Sequence, residues 1–237
     1  DGSASGGTSP YSYAWSGDTS YLSATNIANP THNNAPLGTY NLTLTVTDAN
    51  GCQDTDTVQL VVDPNPTADA GDDDSVCYDG GTNTMQLDGS ASGGTSPYSY
   101  AWSGDTSYLS ATNIANPTHN NAPVGTYNLT LTVTDANGCQ DTDTVQLVVD
   151  PNPTADAGDD DSVCYDGGTN TMQLDGSASG GTSPYSYAWS GDTSYLSATN
   201  IANPTHNNAP LGTYNLTLTV TDANGCQDTD TVQLVVD

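Results

Sequence analysis

The chain has 237 residues and a formal net charge of −28 at pH 7, with 28 acidic side chains, all aspartate, and no lysine, arginine, glutamate or phenylalanine. Without a fixed positive side chain it is a poor partner for nucleic acid or an anionic membrane surface, since both are bound through basic contacts. The longest apolar run is Leu147-Val148-Val149 and its equivalents, so no membrane insertion is expected of this segment, and no signal-peptide pattern opens it.

Aligned with itself, the chain is a tandem repeat. The segment Asp1-Gly2-Ser3-Ala4-Ser5 recurs at Asp88 and at Asp175, which defines an incomplete copy over residues 1–63 and two complete copies of 87 residues over 64–150 and 151–237. The copies differ at one site, Leu37, Val124 and Leu211. A catalytic centre is hardly needed in every bead of a string, whereas a spacer or a multivalent surface gains from each copy. The first copy lacks the counterparts of Pro64 to Leu87, so the natural chain is expected to continue upstream, and downstream as well. An 87-residue unit is at the small end for an independent domain, and its composition borders on disorder, so the case for order rests on patterning.

Each complete copy opens on a proline-rich joint, Asp63-Pro64-Asn65-Pro66 or Asp150-Pro151-Asn152-Pro153, which reads as a short stiff linker. Aspartates follow at Asp69, Asp72, Asp73 and Asp74, with counterparts Asp156, Asp159, Asp160 and Asp161. Together with Asp63 and Asp150 they are candidate calcium ligands, expected to converge on the joint and stiffen it, because hard oxygen donors in a chain without bases suit that ion. A solvated acidic face is the alternative. Asp135, Asp141 and Asp143 form a second acidic group, without the glutamate of an EF-hand loop.

Thr84-Met85-Gln86-Leu87 and Tyr98-Ser99-Tyr100-Ala101-Trp102-Ser103 alternate as short strands around the turn Ser92 to Pro97, with Trp102 available to fill a core. His119, in a polar stretch, is expected in a loop. Tyr127 to Thr134 alternates apolar and polar residues through four periods, a strand with one wet face. The Asn137-Gly138 turn follows, and Asp143 to Val149 returns as the second strand of a hairpin. With no helical period and turn signals about every ten residues, the expected fold is all-β, a tandem array of immunoglobulin-like β-sandwiches.

The segments Asp69-Ala70-Gly71-Asp72, Leu87 to Gly94, Pro97 to Trp102 and Gly125 to Cys139 together resemble the PKD (polycystic-kidney-disease) type of immunoglobulin-like domain. The cysteine-containing version is similar to repeats of giant bacterial surface and gliding adhesins. The resemblance covers the whole unit and implies extracellular or cell-surface display. One departure is the turn after the tryptophan, here Ser103-Gly104-Asp105-Thr106 in place of aromatic-Gly-Asp-Gly.

The two cysteines of each complete copy are expected to bridge within it, Cys77 with Cys139 and Cys164 with Cys226, leaving Cys52 with a missing upstream partner; paired thiols are the alternative. Such a bridge would close a loop of about 60 residues, contribute on the order of 3 to 4 kcal/mol and suit an oxidising compartment. Asn41, Asn128 and Asn215 each open an Asn-Leu-Thr sequon on an outward strand face, and Thr67, Thr118 and Thr154 sit beside prolines in a composition that tolerates O-linked sugar. Ordinary wet-face strand threonine is the plainer reading.

No catalytic pattern emerges. Gly89-Ser90-Ala91-Ser92-Gly93 has alanine where a nucleophile elbow needs its serine, and His119 has no patterned acid or base partner. The expectation is a non-enzymatic structural protein, an extracellular filament or surface stalk. Its partners would be copies of itself, in a fibre or tandem array. No cofactor is required, and calcium and covalent glycans are the additions its composition suits. The alternative is a carbohydrate-binding or adhesive module with a polysaccharide partner.

Overall fold

The computed structural model describes residues 1–237, and its regular structure is almost all strand, with one turn of 3-10 helix in each copy. The first copy supplies β1 (Ser12–Gly17), β2 (Gly38–Thr47) and β3 (Gln53–Val62). The second supplies β4 (Pro66–Asp69), β5 (Asp74–Cys77), β6 (Thr84–Gln86), β7 (Ser90–Gly93), β8 (Ser99–Gly104), β9 (Thr118–Asn120), β10 (Gly125–Thr134) and β11 (Gln140–Asp150). The third repeats these as β12 (Pro153–Asp156), β13 (Asp161–Val163), β14 (Thr171–Gln173), β15 (Ser177–Gly180), β16 (Ser186–Gly191), β17 (Thr205–Asn207), β18 (Gly212–Thr221) and β19 (Gln227–Val236). Two compact units result: residues 1–68 with 91–99 and 132–142, and residues 69–90 with 100–131 and 143–237. The third copy and its joint to the second lie within the latter.

In the third copy one sheet has the order β13-β19-β18-β16, and the pairs β12-β15 and β14-β17 complete the sandwich. β18 and β19 form a long antiparallel hairpin with Thr221 opposite Gln227 and Gly212 opposite Val236. β13 runs parallel to the far end of β19, with Val163 opposite Val236. The alternation legible in Tyr214 to Thr221 explains the burial: Leu216, Leu218 and Val220 are fully buried while the threonines between them are half-buried. Trp189 closes the core over them and donates its indole N–H to the Ile201 carbonyl at 3.0 Å. Removing such a side chain leaves a cavity as well as losing transfer energy. Leu131→Ala is therefore expected to cost about 3 kcal/mol and to lower the melting temperature of the second copy by roughly 15 °C, as scanning calorimetry would record.

The amino half of β19 carries its inward pattern with aspartates. Asp228 and Asp230 occupy the positions that continue as Val232, Leu234 and Val236. Their carboxylates accept the backbone N–H groups of Ala155 and Ala157 at 2.9 and 2.8 Å, so the first strand of the sandwich hangs on side chains instead of on a second backbone ladder. Asp141 and Asp143 do the same for Ala68 and Ala70 in the second copy. These acidic residues, grouped in the sequence around the hairpin, are structural acceptors.

His119 is a correction to the loop expectation. It lies in β9 with 0% exposure, opposite Met85 of β6. The rings of Tyr127 and Tyr108 pack on it at centroid distances of 4.7 and 5.8 Å, and His206 repeats the arrangement with Tyr214 and Tyr195. Neither imidazole nitrogen has a hydrogen-bond partner, and the same is true of the buried Asn83 and Asn170 side chains. Desolvation lowers the pKa of both histidines, which holds them neutral within the sandwich.

Candidate functional site: the joint between the second and third copies

The joint begins with an aspartate that organises a turn. Between β18 and β19, the Asp222 carboxylate accepts the N–H groups of Asn224 and Cys226 on one oxygen, both at 2.9 Å, and that of Thr182 on the other at 2.8 Å. Gly181 makes this possible. It has φ +57°, and a Cβ there would come within 2.7 Å of the Asp222 carboxylate and 2.9 Å of the Pro153 nitrogen, so only glycine fits the approach. The result is a rigid hairpin turn beside the incoming chain, with Cys226 on it. Asp135 plays the same part for Thr95, Asn137 and Cys139, and its pKa is lowered, chiefly by the hydrogen bond from the Thr95 N–H.

The opposing surface is the far end of the second sandwich. β5 lies parallel to β11 with Cys77 level with Asp150, and Tyr78 donates its N–H to the Asp150 carbonyl at 2.8 Å. Across the joint the Cys77 and Cys226 sulfurs are bonded at 2.11 Å, with Cα atoms 5.4 Å apart. Beside them the Asn224 amide donates to the Asp150 carboxylate at 2.8 Å. Cys52, Cys139 and Cys164 are free.

The pairing differs from the expected bridges within each copy, Cys77 with Cys139 and Cys164 with Cys226. Within the third copy, which shows the geometry of the repeat, the two cysteines sit level with opposite ends of β19. Cys164 follows Val163, which is level with Val236, the last residue of β19, while Cys226 precedes Gln227, the first. Ten residues of strand place them roughly 33 Å apart, far beyond the Cα separation of about 4.4 to 6.8 Å that a disulfide spans. End-to-end succession of copies brings the strand-end cysteine of one to the hairpin turn of the next.

The candidate calcium ligands do not gather at this joint, because the chain from Asp69 to Asp74 runs along the flank of β11. Asp73 accepts the N–H of Gln146 at 2.7 Å, Asp69 those of Gly71 and the Ser90 hydroxyl, and Asp74 that of Ser75. Asp160, Asp156 and Asp161 repeat the pattern against Gln233, Gly158, Ser177 and Ser162. Asp72 and Asp159 stay exposed beside them. Of the candidates, Asp150 alone has a hydrogen bond across the joint, and Asp63 has no counterpart to it. No three His, Cys or Asp side chains are arranged to hold a metal ion.

The sequon residues Asn41, Asn128 and Asn215 are exposed on the wet face of their strands, and the Asn128 and Asn215 side-chain oxygens accept from Gln146 and Gln233 at 3.0 Å. Thr67 and Thr154 are exposed and Thr118 is half-buried. No helix is long and apolar enough to cross a membrane.

A two-layered sandwich with a tryptophan core, recurring along the chain, defines a tandem immunoglobulin-like β-sandwich protein. The I67–I69 fragment of the titin I-band superposes with a TM-score of 0.55 at 15% identity, covering 98% of this chain and 90% of that one. The three N-terminal domains of the bacteriophage RB49 highly immunogenic outer capsid protein give 0.54 at 11%, covering 97% and 89%. More specifically, the chain belongs to the PKD domain family, whose model matches residues 1–62, 63–149 and 150–236. It is 34% identical over 212 residues to the mouse (Mus musculus) dyslexia-associated protein KIAA0319-like protein, and 32% over 215 residues to the rat (Rattus norvegicus) dyslexia-associated protein KIAA0319 homolog. These alignments take in 81% and 82% of this chain but 20% of each relative, so the chain spans about a fifth of the curated relatives it matches.

Proposed function

We propose that this chain is a stretch of an extracellular structural array, a surface stalk or filament whose domain is the 87-residue copy. The observation that carries the reading is the covalent bridge across the joint between near-identical copies. A bridge between domains adds nothing to a binding face, whereas it fixes one domain on the next. Disulfides persist in oxidising compartments, which supports the extracellular setting.

Glycans at Asn41, Asn128 and Asn215, and at Thr67, Thr118 and Thr154, would coat the wet face and separate neighbouring chains. Weakly held calcium among the surface aspartates would offset a charge of one sign that otherwise keeps arrays apart. The adhesive alternative needs an exposed aromatic platform. Here Trp102 and Trp189 fill cores, and Tyr185, Tyr187 and Tyr195 pack against the core of the third copy, which weighs against a sugar-stacking groove.

Electron microscopy of native material, paired with mass spectrometry of the peptide that contains Asn128, tests the reading. Filaments or surface stalks carrying modified Asn128 are expected. Isolated, flexible monomers with unmodified Asn128 would defeat it, and retention on a polysaccharide column would favour the adhesive module.

A further inference from the structure

The three free cysteines occupy the same two positions as the bonded pair. Cys164 is the strand-end residue equivalent to Cys77, while Cys139 and Cys52 are hairpin-turn residues equivalent to Cys226. We propose that one bridge per joint is the rule by which copies of this repeat are added. The strand-end cysteine of each copy takes the hairpin-turn cysteine of the copy that follows it, so the face of the third copy around Cys164 is a docking and cross-linking site for a further copy.

That face exists twice in the chain, once covered and once open. In the second copy, where a copy follows, Cys77 and Tyr78 are half-buried; in the third, Cys164 and Tyr165 are exposed, the tyrosine at 45%. On the other side of the contact, Cys226 is 1% exposed in its bridge, whereas Cys139 is half-buried. The carboxylate beside the sulfur is also duplicated. Asp150 accepts the Asn224 amide of the next copy, and Asp237 stands in the same position beside Tyr165, whose N–H it accepts at 2.7 Å through its carbonyl oxygen.

The occupant is therefore a copy of this repeat, presenting an Asp-Ala-Asn-Gly-Cys turn whose asparagine meets Asp237 and whose cysteine meets Cys164. Polarity follows from the same geometry. Strand-end cysteines lie at one end of the sandwich and hairpin-turn cysteines at the other, so copies joined in one direction always bring unlike positions together.

Closing such a bridge needs an oxidant, which a small-molecule disulfide such as oxidised glutathione supplies. The Cys164 thiolate attacks one sulfur of the reagent and expels a thiolate. The incoming hairpin-turn thiolate then attacks Cys164 in the mixed disulfide and expels the second. Two protein thiols lose two protons and two electrons, and the reagent is reduced to two thiols.

The test is the full chain lengthened by one 87-residue copy after Asp237, folded in a glutathione redox buffer and alkylated without reduction. Mass spectrometry is expected to count three alkylated cysteines, the same number as in the 237-residue chain, because the lengthened chain gains one bridge with its two added cysteines. Five alkylated cysteines in a lengthened chain whose added tryptophan is buried by fluorescence would overturn the rule, and so would one, the count for bridges within each copy. Cys164→Ser in the lengthened chain is expected to expose the added hairpin-turn cysteine and leave the bond between Cys77 and Cys226 intact. A variant in which the added cysteine stayed protected would equally defeat the proposal.

Discussion

Replacing Cys226 by serine is expected to lower the melting temperature of the third copy by about 15 °C or more, while Cys139→Ser leaves it unchanged. The loop that matters is the one closed when the third sandwich unfolds on a folded second one. Since Cys77 is held level with Asp150, that loop runs from Asp150 to Cys226. The denatured-chain entropy removed by closing it is worth up to about 4 kcal/mol, and each kcal/mol moves the midpoint of a domain this small by about 4 to 8 °C. Peptide mapping alone cannot assign the bridge. The sequences around Cys52, Cys139 and Cys226 are the same, as are those around Cys77 and Cys164, so bridges within and between copies yield the same linked peptides. Cys226→Ser distinguishes them: it leaves no linked peptide if the bridge spans the joint, whereas pairing within copies would keep Cys77 joined to Cys139.

Acid is expected to destabilise the array in two stages, the first of them set by the buried histidines. His119 and His206 are fully buried and their pKa values are lowered by desolvation. The folded state therefore holds the neutral ring, and protonation favours the unfolded chain. Their contribution is fully present above the unfolded pKa near 6.5, and it falls as the pH drops from there towards the folded value. Each unit of difference is worth about 1.4 kcal/mol per histidine. Asp135 follows at lower pH. Its pKa is lowered first by the Thr95 N–H and then by the other turn donors, against the opposing effect of burial, so its support is present above about pH 4 and disappears as the carboxylate is protonated. Denaturant midpoints measured from pH 8 to pH 3 should show both limbs. Replacing His119 and His206 together by asparagine should flatten the limb that begins near pH 6.5 and leave the lower one. A limb unchanged in that double variant would locate the acid sensitivity elsewhere.

The parts of the fold that were legible in the sequence are those where one residue's side alone decides the outcome. Tyr127 to Thr134 alternates, and its odd members are buried; Asn137-Gly138 turns the chain; Trp102 fills a core. The bridge was not legible because sequence spacing records contour and not direction. Cys164 and Cys226 frame the repeat in sequence, and the parallel run of β13 beside β19 places them at opposite ends of it. His119 was misplaced for a related reason. A three-residue strand leaves too short a pattern to mark its buried member, and the tyrosines that enclose it, Tyr108 and Tyr127, come from separate segments. The acidic residues divide by a signal that was present: Asp141 and Asp143 sit in phase with Val145, Leu147 and Val149, which marks them as inward acceptors, whereas Asp72 and Asp159 have no such phase.

The bridge between Cys77 and Cys226 also reroutes mechanical load. In an unbridged chain a pull on the two ends would strip the sandwiches strand by strand and pay out their full length. The bond short-circuits a sequence separation of 149 residues, which at about 3.5 Å per residue withholds roughly 500 Å of slack. Force applied at Asp1 and Asp237 passes from Cys77 through the sulfurs to Cys226 and leaves by β19, and the rest of the third sandwich carries none of it. Extensibility thus becomes a redox property: oxidised, the second and third copies behave as a nearly inelastic link, and reduced, they become a long tether.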